Sequence, residues 1–163
     1  MEKIQVTYNG KTIEAEVSKE QLQGLIGDTP KTRPAKGDMY YRILGDGLIL
    51  SEHWYDGAND NNTWSSGNGF FTEEEAEKEL ARRQAKRRIQ DFIIENGLEF
   101  NPDWGNDMEE KYYICFDHRK DDFFCTSAYK LSCGLDFYFR LGKDAKFMLD
   151  NCEDDLRIIF GID

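Results

Sequence analysis

The chain has 163 residues, the size of one domain or two very small ones, which is enough to bury a core without metals or disulfides. Its 21 Lys and Arg stand against 32 Asp and Glu, and the formal charge of -11 repels phosphate backbones and anionic membranes over most of the surface. No apolar run reaches the roughly 20 residues of a membrane helix, and Met1-Glu2-Lys3-Ile4-Gln5-Val6 lacks the apolar stretch of a signal peptide, so the expected address is the cytoplasm, with no membrane partner.

The first segment, 1–27, reads as a ββα unit. Ile4, Val6 and Tyr8 alternate, Asn9-Gly10 suits the tight turn of a hairpin, and Ile13, Ala15 and Val17 alternate on the return. Ser18 and Gln21 form a capping box for a short helix with Leu22, Leu25 and Ile26 on one side, stopped near Gly27. Residues 28–38, with Pro30, Pro34 and Gly37, carry no apolar period and read as a linker.

A first hairpin-and-helix module is expected over 39–97. Tyr40, Tyr41, Ile43 and Leu44 lead through Gly45-Asp46-Gly47 to Leu48, Ile49 and Leu50, a continuous apolar run that predicts burial on both faces. Ser51 to Gly69 then reads as a long polar loop. Thr72 with Glu75 predicts a reciprocal cap for a helix from about Glu73 to Asn96, with Gly97 as its left-handed stop. On that helix Ala76 and Leu80 define one face, whereas Ala81, Ala85, Ile89, Phe92 and Ile93 lie nearly opposite, so it either kinks or touches two bodies.

Residues 98–110 read as a connector with an anchoring Trp104, and 111–163 as a second β/α module. Strands are expected at Lys111 to Asp117, Asp122 to Ser127 and Leu135 to Arg140, and short helices at Lys143 to Asn151 and Asp154 to Phe160. With 11 Phe and 8 Tyr, the interior should be aromatic. The fold class is therefore α+β, an N-terminal hairpin and helix followed by two antiparallel-sheet-plus-helix modules joined by a long helix. The spacing of Phe70, Ala76 and Leu80 recurs in Phe139, Ala145 and Leu149, each set following a Tyr-Tyr strand, which points to a duplication.

Tyr8-Asn9-Gly10-Lys11, Ser18-Lys19-Glu20-Gln21, Tyr40-Tyr41, Asp46-Gly47 and Phe70-Phe71-Thr72-Glu73-Glu74-Glu75-Ala76 make up one set of short motifs. Tyr112-Tyr113-Ile114, Asp117-His118 and Phe137-Tyr138-Phe139 make up another. Through them, over most of its length, the chain resembles small uncharacterised proteins carried by bacteriophages and prophages. The resemblance implies a mobile-element accessory protein, of a class in which many members bind host proteins, defence nucleases among them. It carries over scaffold and no catalytic residue. Leu141-Gly142 departs from the pattern, since a Ser or Thr cap with acids is expected there, which leaves that helix start open.

Two clusters stand out as candidate sites. His53, Trp54, Tyr55, Asp56, Asp60 and Trp64 lie in the long loop, where the Trp rings either present a partner-binding surface or fold back as a lid on the core. Lys78, Arg82, Arg83, Lys86, Arg87 and Arg88 make a basic stripe suited to a phosphate backbone, although Glu74, Glu79 and their neighbours have the spacing to neutralise part of it. Asp56 and Asp60 lack the spacing of a calcium loop, Cys115, Cys125, Cys133 and Cys152 match no zinc pattern, and His53 and His118 sit in no catalytic motif. No metal, cofactor or catalytic residue is expected.

The reading that results is a non-enzymatic accessory protein of the bacterial cytoplasm that binds a host protein, with inhibition of a defence nuclease by acidic mimicry as its sharpest form. The alternative is a nucleic-acid-binding module that uses the basic helix and the Trp-bearing loop.

Overall fold

The computed structural model describes residues 2–8, 11–17, 32–129 and 137–162, and it is α+β. Contacts divide the chain into two compact units, Met1–Arg42 with Ser51–Phe71, and Ile43–Leu50 with Thr72–Asp163. The cut inside the first hairpin follows from packing: Leu80 of the long helix reaches the Gly45–Gly47 turn, its Cδ1 3.7 Å from where a Cβ on Gly47 would lie. Among the described residues no helix is long and apolar enough to cross a membrane.

In the first unit, β1 (Glu2–Tyr8) and β2 (Lys11–Val17) pair antiparallel from Glu2↔Val17 to Tyr8↔Lys11, the register that alternation and a two-residue turn require. The expected Asn9-Gly10 turn and the Ser18–Gly27 helix fall outside the described residues. β3 (Met39–Ile43) is the middle strand of a second sheet, between β4 (Ile49–His53) and β5 (Gly69–Phe70). Residues 37 and 38, read as linker, extend this ladder, because Gly37 N–H donates to the Trp54 carbonyl and Trp54 N–H to that of Asp38, both at 2.8 Å. Burial on both faces is not found. Leu48, just before β4, is 58% exposed and Leu50 within it 40% exposed, so this side of the returning strand looks to solvent.

The predicted loop over 51–69 is corrected too: it contains helix α1 (Ala58–Ser65) as well as the ends of β4 and β5. Asn59, Asn61, Asn62 and Thr63 give α1 no apolar stripe, so periodicity is silent there. Its start is fixed instead by Asp60 Oδ2, which accepts from the N–H groups of Tyr55 at 2.9 Å and Gly57 at 3.1 Å.

The second unit is built on α2 (Glu73–Glu95), which runs unbroken from the predicted cap: Glu75 N–H donates to Thr72 Oγ1 at 3.2 Å and Thr72 N–H to the Glu75 carboxylate at 3.1 Å. Gly97, at φ 62°, ends the helix signal. The two predicted faces of α2 are both used, Leu80 against the hairpin turn and Ile89, with Phe92 and Ile93, against the main core.

That core lies between α2, the antiparallel pair β6 (Lys111–Asp117) and β7 (Asp122–Ala128), and α3 (Gly142–Phe160). Ile114, Phe123, Phe137 and Phe139 fill it from the sheet side, and Ala145, Met148, Leu149, Cys152 and Leu156 form the stripe that α3 turns inward. The two short helices expected at Lys143 to Asn151 and Asp154 to Phe160 are found as the two arms of α3, which meet in a kink at Cys152, whose φ of -126° and ψ of 22° leave the helical region. Among the described residues, the expected third strand reduces to Phe139, which exchanges both backbone hydrogen bonds with Tyr112 at 2.8 and 3.0 Å.

The β4-β3-β5 sheet and the β6-β7 sheet share one topology. In each, a hairpin is followed by a segment that returns antiparallel to the free edge of its first strand, Phe70 beside Tyr41 and Phe139 beside Tyr112. In each, a helix begins three residues after that Phe, and the Ala one turn in, Ala76 or Ala145, has no exposed surface. A larger side chain at either Ala would push the helix off whatever packs there.

Candidate interaction surface

The loop residues singled out from sequence separate into two groups. Trp54 is buried and Trp64 half-buried, and they form a run of edge-to-face rings: Tyr40 to Trp54 at 5.4 Å, Trp54 to Trp64 at 5.8 Å and Trp64 to Phe71 at 4.9 Å. Gly69 admits this packing, for a Cβ there would fall 2.8 Å from Trp64 Cε3. Trp64 Nε1 donates to the Thr32 carbonyl at 3.1 Å. Both tryptophans thus take the inward place, while His53, Tyr55 and Asp56 remain on the surface.

Asp60, 6% exposed, belongs to the inward group. Beyond the two backbone donors, it accepts from the Tyr40 hydroxyl at 3.1 Å. Burial works against its charge, but the N–H groups of Gly57 and Tyr55, the Tyr40 hydroxyl and the nearby Arg42 guanidinium outweigh it and hold the carboxyl below its ordinary range. Burial first, then the hydrogen bond and charge of Asp60 and the charge of Glu52, push Tyr40 up to about 12, while Arg42 opposes. This is a structural cap, fully engaged with protein donors.

On α2 the basic stripe is largely spent within the protein. Lys78 Nζ is 2.7 Å from Glu74, Arg82 Nε 2.7 Å and Arg83 Nε 2.8 Å from the two oxygens of Glu79, and Arg87 Nε 3.0 Å from Asp91. Arg88 reaches across to α3, where Nη2 is 2.5 Å and Nε 3.0 Å from Asp155 Oδ1. Lys86 is half-buried. The hydrogen bond from Arg82 leads the causes that hold Glu79 below the usual carboxylate range, against partial burial, with Arg83 adding to it. In contrast, the exposed carboxylates of Glu73, Glu77, Glu95, Glu99, Asp121 and Asp154 have no ion-pair partner among the described residues.

Among the described residues, no three His, Cys, Asp or Glu side chains converge as a metal site requires. Burial pushes the Cys125 and Cys152 thiols up, so both stay protonated at neutral pH. Cys133 lies outside the described residues.

Sequence reasoning missed Lys111. Read as an ordinary strand residue, it is buried completely, and its ammonium donates to the carbonyls of Glu109 at 2.9 Å, Tyr129 at 3.1 Å and Asn106 at 3.4 Å. Trp104 covers it with ring centroid 5.3 Å from Nζ and packs on Tyr138 at 5.1 Å. The connector is thereby pinned to the sheet. A lone Lys at the head of a strand carries no signal for this, because the acceptors are backbone groups.

Also missed was an open groove of about 300 Å³ at the C-terminal end of α2, with Ile93, Phe100, Phe137 and Tyr138 in its wall, Ile94 at its lip, and Arg87, Gln90 and Glu99 around it. Its apolar members are scattered over three segments, so no local pattern announces it. Comparison with models of protein families, with curated proteins and with solved structures found no match.

Proposed function

We propose that the chain is a non-enzymatic, phage-type accessory protein of the bacterial host cell, acting by binding a host protein whose own contact surface is basic, such as a nucleic-acid-processing defence complex. The observation that carries this reading is the distribution of charge. Basic side chains of α2 are taken up by Glu74, Glu79, Asp91 and Asp155, whereas a separate set of carboxylates faces outward unpaired. A surface left negative in this way attracts a positive partner and raises its rate of encounter. The resemblance to phage and prophage proteins supplies the biological setting.

The same pairing weighs against the nucleic-acid reading. Helix-surface pairs contribute only about 0.3 to 0.5 kcal/mol each, so phosphate competes for them, but against the repulsion of the whole chain. A mobility-shift assay at low salt separates the readings, and no shift of duplex or single-stranded DNA is expected. Capture from bacterial lysate tests the main one: a host protein retained at low salt and lost as salt rises is expected, and recovery of none at low or moderate salt overturns it.

A further inference from the structure

We propose that the groove at the end of α2 seats one large apolar side chain of the partner, flanked on one side by Lys or Arg. The proposal rests on the reading of a basic host partner and adds where that partner docks and by what chemistry.

The size of the groove, about 300 Å³, is at the lower limit of small-molecule pockets and suits a single anchor residue, the usual centre of a protein interface. Ile93, Ile94, Phe100, Phe137 and Tyr138 give it apolar and aromatic surface beside the polar groups of Arg87, Gln90 and Glu99, and Ile94 is 56% exposed, an apolar surface that the fold itself does not use. Around it the charges are not symmetric. Arg87 is neutralised by Asp91 at 3.0 Å. The last turn of α2 holds no basic residue, so its carbonyl dipoles, with Glu95 on that turn and the unpaired Glu99 in the lining, make the field at this end of the groove negative. Arg140, held over the Phe100 ring at 5.5 Å, sets a positive charge beside one residue of the wall. A segment with an apolar anchor therefore binds with its basic flank toward Glu95 and Glu99 and a neutral or acidic flank toward Arg140.

The test uses the full chain and two peptides, acetyl-Lys-Lys-Trp-Gly-amide and acetyl-Glu-Glu-Trp-Gly-amide, followed by amide chemical shifts in NMR. The lysine peptide is expected to move signals of residues 93–100 and 137–138, and the glutamate peptide to bind at least about fivefold more weakly. Ile94→Arg should remove the response and Glu99→Gln should weaken it several-fold, each with an unchanged circular dichroism spectrum. No response, equal response to both peptides, or shifts confined elsewhere overturns the proposal. So does a wild-type dimer that Ile94→Arg converts to monomer, because the occupant is then a second copy. If Ile94→Arg captures a host protein as well as wild type does, the groove proposal falls and the functional reading stands. If the lysine peptide maps to the groove and lysate yields no partner, the groove stands and the host-protein reading falls.

Discussion

The two hairpin-and-helix arrangements have the same strand order but begin their helices by different means. After Phe70, α2 starts on a reciprocal Thr72 and Glu75 cap, a purely polar solution. After Phe139, α3 starts at Leu141 with no side-chain cap, and Gly142 instead lets the Tyr112 ring come within 3.0 Å of where a Cβ would sit. The difference teaches which part of the pattern sets topology. The Phe that closes the sheet edge and the buried Ala one turn into the helix are common to both, whereas the cap is a local choice that packing can replace. The arrangements differ also in what they leave exposed, since the groove lies where the end of the first helix meets Phe137 and Tyr138 of the second.

The sharpest way to break this equivalence is to empty its two Phe positions. Phe139 has no exposed surface and Phe70 is half-buried, so Phe139→Ala should cost about 3 to 5 kcal/mol in denaturant unfolding and Phe70→Ala roughly half as much. Equal costs would mean that the return segments are not doing the same job at different depth. Next in size is Asp60→Ala, which strips α1 of its cap and leaves the Tyr55 and Gly57 N–H groups and the Tyr40 hydroxyl without an acceptor. A loss of about 2 kcal/mol is expected, with quenched or shifted Trp54 and Trp64 fluorescence as its local mark.

Titration gives a smaller and directional effect. The Asp60 carboxyl is held below its ordinary range, so the stability it contributes is complete above about pH 4 and is lost as pH falls further through its folded value. Tyr40 is raised, so its contribution is complete below about pH 10 and is lost as pH rises toward about 12. Tyr40→Phe should flatten the alkaline part of a stability profile, and an unchanged slope would show that the hydroxyl is not buried against Asp60. The smallest effects are at the caps. Thr72→Ala should cost about 1 kcal/mol, and Leu141→Ser should gain about 0.5 to 1 kcal/mol, because only the first helix has a cap to lose.

Where local chemistry decides, the sequence was legible. Thr72 with Glu75, Gly97 after α2 and the repeat of Phe, Ala and Leu each announce their own element. The rest needed distant partners. Helix α1 has no apolar period and depends on Asp60, whose acceptor role is invisible until Tyr55 and Gly57 are placed beside it. Lys111 is buried against carbonyls from three separate positions, and the groove collects Ile93, Phe100 and Phe137 from segments that periodicity treats one at a time. The Trp-bearing stretch illustrates the limit best: composition leaves Trp54 and Trp64 equally suited to a surface or a lid, and only their ring contacts with Tyr40 and Phe71 place them inside.

The claim that matters most is that an outward negative field recruits a basic surface made for nucleic acid. Competition on the captured host protein measures it directly: duplex DNA added to the washed complex should release the partner in proportion to its concentration. A complex that ignores DNA while still dissolving in salt, or DNA that is retained by this chain itself, would contradict the account.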